Sequence, residues 1–322
     1  MRFTGIAGGN MENLILSFNV VLPLFLCIAL GYFLRCIHLL DESAQKSLNK
    51  LCFKVFLPIY LFGSIYSTNM SEALNTRLIL FAVLGILGVF TALMMLIPRI
   101  EKENARRGVM VQAIFRSNFA LFGLPVAISL CGEQNAGPTA LLVSFVVPIY
   151  NVLAVVALES FRGGRPNVKK MLKGIAKNPL IIGSLIGVMM NLLGVPIPAA
   201  VQKSITDLGR IATPLSLVVL GGEFMFKRIH GYAKHLAIAV SARLIVVPLL
   251  MVTLGILFGF RNETLVPILA VFGSPVAVSS FTMAEQMEGD GTLAASLVVL
   301  TTGLSIVTMF LFIFGLRQLG YI

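Results

Sequence analysis

Charge is what this sequence has least of. Asp, Glu, Lys and Arg make up 12% of its 322 residues, about half the ~25% of a soluble domain, so an ordinary water-soluble globule is excluded. Metal-binding spacing is missing too. Cys27, Cys36, Cys52 and Cys131 form no C-x-x-C or zinc pattern, so they read as small apolar side chains, and no metal or other cofactor is expected. The chain has no H-E-x-x-H, no G-x-S-x-G, no paired mid-span aspartates and no G-x-x-x-x-G-K-[ST]. Hydrolytic and ATP-driven chemistry are therefore disfavoured, and the chain is not expected to be an enzyme. His38, His230 and His235 all fall in or beside loops. The alternating ten-residue pattern of a membrane barrel is absent as well, which leaves helices as the only way to cross a bilayer.

What is present is apolar: 57% of residues are hydrophobic, in runs of about 20 that can each cross a ~30 Å hydrocarbon core. The fold class is an all-α polytopic membrane protein. Ten spans are expected, near 12–35, 43–67, 77–97, 107–132, 138–160, 179–195, 199–226, 234–259, 263–287 and 291–317. Residues 1–11 read as a flexible extension, with Met11 a candidate start. A first five-helix unit covers 12–160, a basic loop 161–178, and a second five-helix unit 179–322. The net charge of +11 sits in short loops, such as the one from Arg99 to Arg107 and the one from Arg162 to Lys177. This placement suits the anionic inner leaflet and membrane lipid rather than nucleic acid. With the N-terminus outside, the cytoplasmic loops hold roughly three times as many Lys and Arg as the outer segments, which puts both termini outside the plasma membrane. Each unit has an odd number of spans, so the two enter the membrane with opposite topology.

Span four contains Phe122-Gly123-Leu124-Pro125-Val126-Ala127-Ile128-Ser129, and span nine contains Phe272-Gly273-Ser274-Pro275-Val276-Ala277-Val278-Ser279. Six of the eight positions are identical at an offset of 150 residues. Gln45-Lys46-Ser47 with Pro58 echoes Gln202-Lys203-Ser204 with Pro214, and Glu133-Gln134 echoes Glu285-Gln286. These echoes indicate an inverted repeat. Proline removes a backbone donor and clashes with the preceding turn, and glycine weakens the helix further. A lone proline reads as a kink, as at Pro23, Pro148 and Pro248. Two matched Gly-x-Pro breaks in an inverted repeat instead point to crossed, discontinuous helices around a midplane site. Pro125 and Pro275 are expected to open new half-helices. Their free amides and positive dipole ends would hold an anion without a buried lysine.

The broken pair, together with Asn178-Pro179-Leu180-Ile181-Ile182-Gly183 and the segment from Asn191 to Pro198, resembles the auxin efflux carrier family, in particular its bacterial members. The resemblance runs from about residue 12 to nearly the end. It implies a ten-helix fold similar to sodium/proton antiporters and bile-acid symporters. Spans 1, 2, 6 and 7 would be a scaffold, spans 3–5 and 8–10 a mobile transport unit, and helices 2 and 7 the join of a homodimer. Plant members export auxin and some bacterial ones are associated with malate or malonate. The long cytoplasmic loop of many plant members is missing here, so their regulation does not carry over.

Candidate substrate-binding residues are Gly123, Leu124 and Pro125 at the first break and Gly273, Ser274 and Pro275 at the second. Asn118, seven residues before Pro125, is a candidate hydrogen-bonding side chain, an asparagine before the crossing being similar to the family pattern; it could equally bond a neighbouring helix. Asn151, with Thr301 and Thr302 at matched repeat positions, is a weaker candidate. Arg116 and Arg243 lie within spans, where a carboxylate would be a fitting partner, although Arg116 can also snorkel to the interface. A Lys50–Asp207 pair between spans two and seven is a further expectation. The function these readings favour is secondary active transport of a small organic anion, a carboxylate such as malate, malonate or an auxin-like acid. It would work by alternating access, with proton or sodium coupling open. A cation/proton antiporter of the same fold is the alternative, but it wants carboxylates at the crossing, and the acids nearest Pro275 lie toward span ends. An intramembrane receptor or enzyme is less favoured still.

Overall fold

The structure is a computed structural model that describes residues 22–67, 75–132, 137–162, 173, 176–223 and 231–322. The proposed extension 1–11, most of the basic loop and the Glu133-Gln134 echo lie outside the described residues. The helices are α1 (Leu22–Cys36), α2 (Glu42–Tyr66), α3 (Thr76–Ile100), α4 (Asn104–Phe115), α5 (Phe119–Cys131), α6 (Gly137–Ser160), α7 (Pro179–Leu192), α8 (Ala199–Glu223), α9 (Ala233–Leu257), α10 (Asn262–Gly273), α11 (Ser279–Gln286) and α12 (Gly291–Gln318). Among the described residues no strand is formed, only one isolated bridge between Ser117 and Val276. By length and composition α2, α3, α9 and α12 can each cross a membrane, and α1, α5, α7 and α10 are shorter apolar helices. The chain is a multi-pass helical membrane protein.

Helix α2 packs against both α7 and α8, and small residues set the spacing. A Cβ on Gly183 would come within 2.7 Å of the Pro58 carbonyl oxygen, and one on Gly209 within 3.1 Å of the Tyr60 Cα. Between α1 and α8 the fit is tighter and reciprocal. A Cβ on Gly31 would overlap the Val218 carbonyl, and one on Gly221 would overlap the Ile28 carbonyl. Such close backbone approach is how helices associate where lipid removes the hydrophobic drive. Because the clash is with backbone, it cannot be relieved by a side-chain turn. Gly221→Ala is therefore expected to lower the thermal unfolding temperature in detergent by several degrees, which fluorescence-detected melting measures.

Three prolines stand two residues beyond a wide, five-residue π turn. The turns are Cys52–Phe56 before Pro58, Phe119–Gly123 before Pro125, and Ala242–Val246 before Pro248. A π turn shifts the hydrogen-bond register by one residue. The missing proline N–H then costs no bond, and the helix continues. The Lys50–Asp207 pair does not form. α2 and α8 run antiparallel, with Cys52 near Ala212 and Gly209 near Tyr60, so Lys50 and Asp207 stand toward opposite ends. Asp207 pairs instead with Lys203 at 2.7 Å.

The second group of helices is built around α12, α4, α9 and α11, with α3 and α6 on α4 and α10 on α9. Polar contacts tie the ends of three of its connections together. His235 bonds Glu101, Arg106 reaches Asp290 at 3.3 Å, and Tyr232 donates to Asp290 at 3.2 Å. Burial alone would push the Glu101 carboxyl up, but bonds from the Glu103 amide and His235 outweigh it and hold the group below its ordinary value.

Candidate functional site

Two helices are interrupted at the centre of the second group. The chain leaves α4 at Phe115, runs extended through Arg116 (φ −89°, ψ 117°) and enters α5 at Phe119. It leaves α10 at Gly273, with Ser274 extended (φ −65°, ψ 151°), and re-enters a helix at Ser279. Pro275 explains the second break, because its ring pushes the preceding residue out of the helical region. The two extended pieces cross antiparallel. Ser117 pairs with Val276, and the Asn118 amide donates to the Pro275 carbonyl at 2.7 Å. Each break thus supplies bonds the other would lack in lipid. Thr301 completes the arrangement by accepting from the Val276 amide at 3.1 Å.

The first turns of α5 and α11 face one cavity, between the crossing and helices α2, α7 and α8. Its wall includes Arg116, Asn118, Tyr150, Asn151 and Ser279 on one side and Tyr60, Thr213 and Ser216 on the other. The space a water centre can reach is about 60 Å³, several times the ~10–15 Å³ one water needs. Arg116 is buried, donating to Asn151 Oδ1 at 2.6 Å and to Ser279 Oγ at 2.8 Å. Among the described residues all its partners are neutral, and no Asp or Glu lines the cavity. The Nδ2 groups of Asn118 and Asn151 are buried with no acceptor among the described residues. First-turn amides of α5 also lack internal partners, whereas in the first turn of α11 the Ser280 and Phe281 amides donate to the Ala277 and Val278 carbonyls at 2.9 and 3.1 Å. The wall is rich in donors and carries an uncompensated positive charge.

The family described as Membrane transport protein, the auxin efflux carrier-like family, matches residues 16–165 and 165–313. The chain belongs to that family. It is a membrane transporter and not an enzyme. Among its relatives is a protein of Rhizobium meliloti named "Putative malonate transporter", 25% identical over 90% of this chain and 93% of its own. An uncharacterized transporter of Methanocaldococcus jannaschii is 24% identical over 90% of this chain and 96% of its own. An uncharacterized transporter of Escherichia coli K12 is 24% identical over 86% and 92%.

Within this transporter the expected site residues separate into two groups. Arg116, Asn118 and Asn151 meet at the cavity, whereas Gly123, Leu124, Pro125, Gly273, Ser274, Pro275 and Arg243 are not on its wall. The second break falls where the sequence placed it. The first does not. Gly123-Leu124-Pro125 lies inside α5, which is unbroken because the π turn absorbs the proline, and the chain opens at Arg116–Asn118 instead. Gly123 has a packing role: a Cβ there would lie 2.6 Å from the Ala270 carbonyl oxygen of α10. Ser274 points away, its hydroxyl bonded to the Ala270 carbonyl at 2.5 Å. Thr301 serves Val276, and Thr302 returns to the Val298 carbonyl at 2.6 Å. Arg116 does not snorkel, because the chain turns inward at the end of α4. Tyr60, Tyr150, Thr213, Ser216 and Ser279 were not singled out in the sequence. Of these only Ser279 carried a signal, as the last residue of the repeated motif. Since Pro125 does not make the break, Pro125→Ala is expected to leave uptake within about threefold of wild type, a change of under ~1 kcal/mol; proteoliposome uptake checks this.

Proposed function

We propose that the protein is a secondary active transporter of a small organic anion, with one carboxylate seated against Arg116, Asn118, Asn151 and the first turn of α5. The observation that carries this is a buried wall that holds a guanidinium, two asparagine Nδ2 groups without an acceptor and no acid among the described residues. A carboxylate is acceptor-only, so it can satisfy every one of these groups. A cation would be repelled by the Arg116 guanidinium and would find no carboxylate among the described lining residues. Malonate, malate and auxin-like acids share the carboxylate, and the name of the Rhizobium meliloti relative adds weight to malonate. The experiment is uptake of labelled malonate, malate and small monocarboxylates into proteoliposomes. Saturable uptake of at least one, competed by the others in a ranked order, is expected. No carboxylate uptake alongside pH-driven sodium flux would replace this reading with cation/proton antiport.

The architecture that fits this activity is ten spans in two inverted units, in which α4–α5 form span four and α10–α11 span nine. The antiparallel crossing at Ser117 and Val276 supports it. α1, α2, α7 and α8 would stay fixed while the remaining helices carry the site across the membrane. Both termini lie outside on this reading, and a cysteine at residue 165 should label only from the cytoplasm. Exposed Leu51 and Val55 on α2, with Leu208 and Ile211 on α8, leave apolar faces for a homodimer through spans two and seven. Cysteine crosslinking on those faces tests it.

A further inference from the structure

Broken helices bring four backbone ends to one place, and only two of them favour an anion. The C-terminal ends of α4 and α10 present carbonyl oxygens with partial negative charge and no helical donor. At breaks of this kind, half-helix carbonyls are the groups that coordinate a transported or coupling cation. Here those oxygens are already taken. Arg243, from the π turn of α9, donates Nε to the Ser274 carbonyl at 2.8 Å. Its Nη1 reaches Ile114 O at 3.0 Å and Phe115 O at 3.3 Å. Its Nη2 reaches Phe272 O at 2.9 Å and Val271 O at 3.3 Å. The residue is fully buried.

From this geometry we infer that Arg243 is a built-in cation standing where a coupling sodium ion would otherwise bind, so that the crossing is assembled and held without sodium. A guanidinium is always charged and presents five donors in a fixed plane, matching the five carbonyl oxygens around it. A sodium ion would have to displace a tethered positive charge from the same oxygens, and the two cannot share them. Arg243 touches no substrate. It is a positioning residue that neutralises two helix ends, leaving the opposite face, with Arg116 and the two N-termini, positive. The inference rests on the anion-transport reading for its consequence, but the cation cage stands independently of it.

The test therefore begins without any substrate. Purified wild-type protein is melted in sodium chloride and in choline chloride at equal ionic strength, and the same unfolding temperature is expected. A saturable rise specific to sodium overturns the inference. Arg243→Ala is then expected to melt several degrees lower and to recover in part with low-millimolar guanidinium chloride or with sodium, but not with choline. An R243A protein as stable as wild type, or moved by neither cation, also overturns it. If R243A does not fold, Arg243→Lys decides: its three donors cannot serve five oxygens, so a melting temperature equal to wild type counts against the proposal. Uptake of malonate by the wild type is finally compared in sodium and choline, with equal rates expected and sodium-dependent uptake counting against the inference. Absence of uptake in both salts with the melting results intact would instead remove the carboxylate reading.

Discussion

Replacing Arg116 with glutamine is expected to raise the dissociation constant for the transported carboxylate by about 100-fold, that is by roughly 3 kcal/mol. Arg116 is the cation on the cavity wall, and the bond it would make to a carboxylate is charge-assisted and shielded from water. Its present partners, Asn151, Ser279 and Ser280, are neutral, so the substitution leaves no buried charge without a counter-ion. Folding should survive, and the loss should appear in binding. Arg116→Lys keeps the charge but loses the planar fork, so an intermediate loss of about tenfold is expected. Titration calorimetry on the purified proteins measures both. An R116Q protein that binds within threefold of wild type would show that the guanidinium serves only to orient Asn151 and Ser279.

The positions of the helices were legible because a bilayer leaves so few options. Apolar runs near 43–67, 77–97, 138–160, 234–259 and 291–317 became α2, α3, α6, α9 and α12 with ends displaced by a few residues. The second break was legible for a local reason. Pro275 acts on its own neighbour, Ser274, and needs no other part of the chain to do so. The first break was not, because its cause is distant. Nothing in Arg116-Ser117-Asn118 forbids a helix, although Ser and Asn compete for backbone bonds. What opens the chain there is the Pro275 carbonyl and the isolated bridge to Val276, 157 to 159 residues away. The matched motif misled for the converse reason. Its first copy looks like a break, yet the preceding π turn removes the penalty of Pro125, and π turns leave no clear mark on composition. The two buried arginines were visible as intramembrane charges, but their separate tasks depend on which half-helix ends each one faces.

Asn118→Ala is expected to lower affinity without lowering stability. Asn118 is 5% exposed and its Nδ2 has no acceptor among the described residues. A buried donor left unpaired costs about 1–3 kcal/mol, and the cavity has room for a water to serve it, so deleting it should leave the melting temperature of the substrate-free transporter at or above that of wild type. The backbone of the crossing is untouched, because the bonds that define it, Asn118 N to Pro275 O and Phe122 N to Asn118 O, belong to the main chain. The same deletion removes one hydrogen bond to the bound carboxylate, worth ~1–1.5 kcal/mol, and should weaken binding about tenfold. Asn151→Ala makes the control. Its Oδ1 accepts from Arg116 at 2.6 Å, so removing it frees a guanidinium donor while deleting an unpaired amide, and no gain in stability is expected. Paired melting and binding measurements on the two variants separate a side chain held in reserve for a ligand from one that merely packs. An N118A protein less stable than wild type, with unchanged affinity, would assign Asn118 to packing and move the carboxylate elsewhere in the cavity.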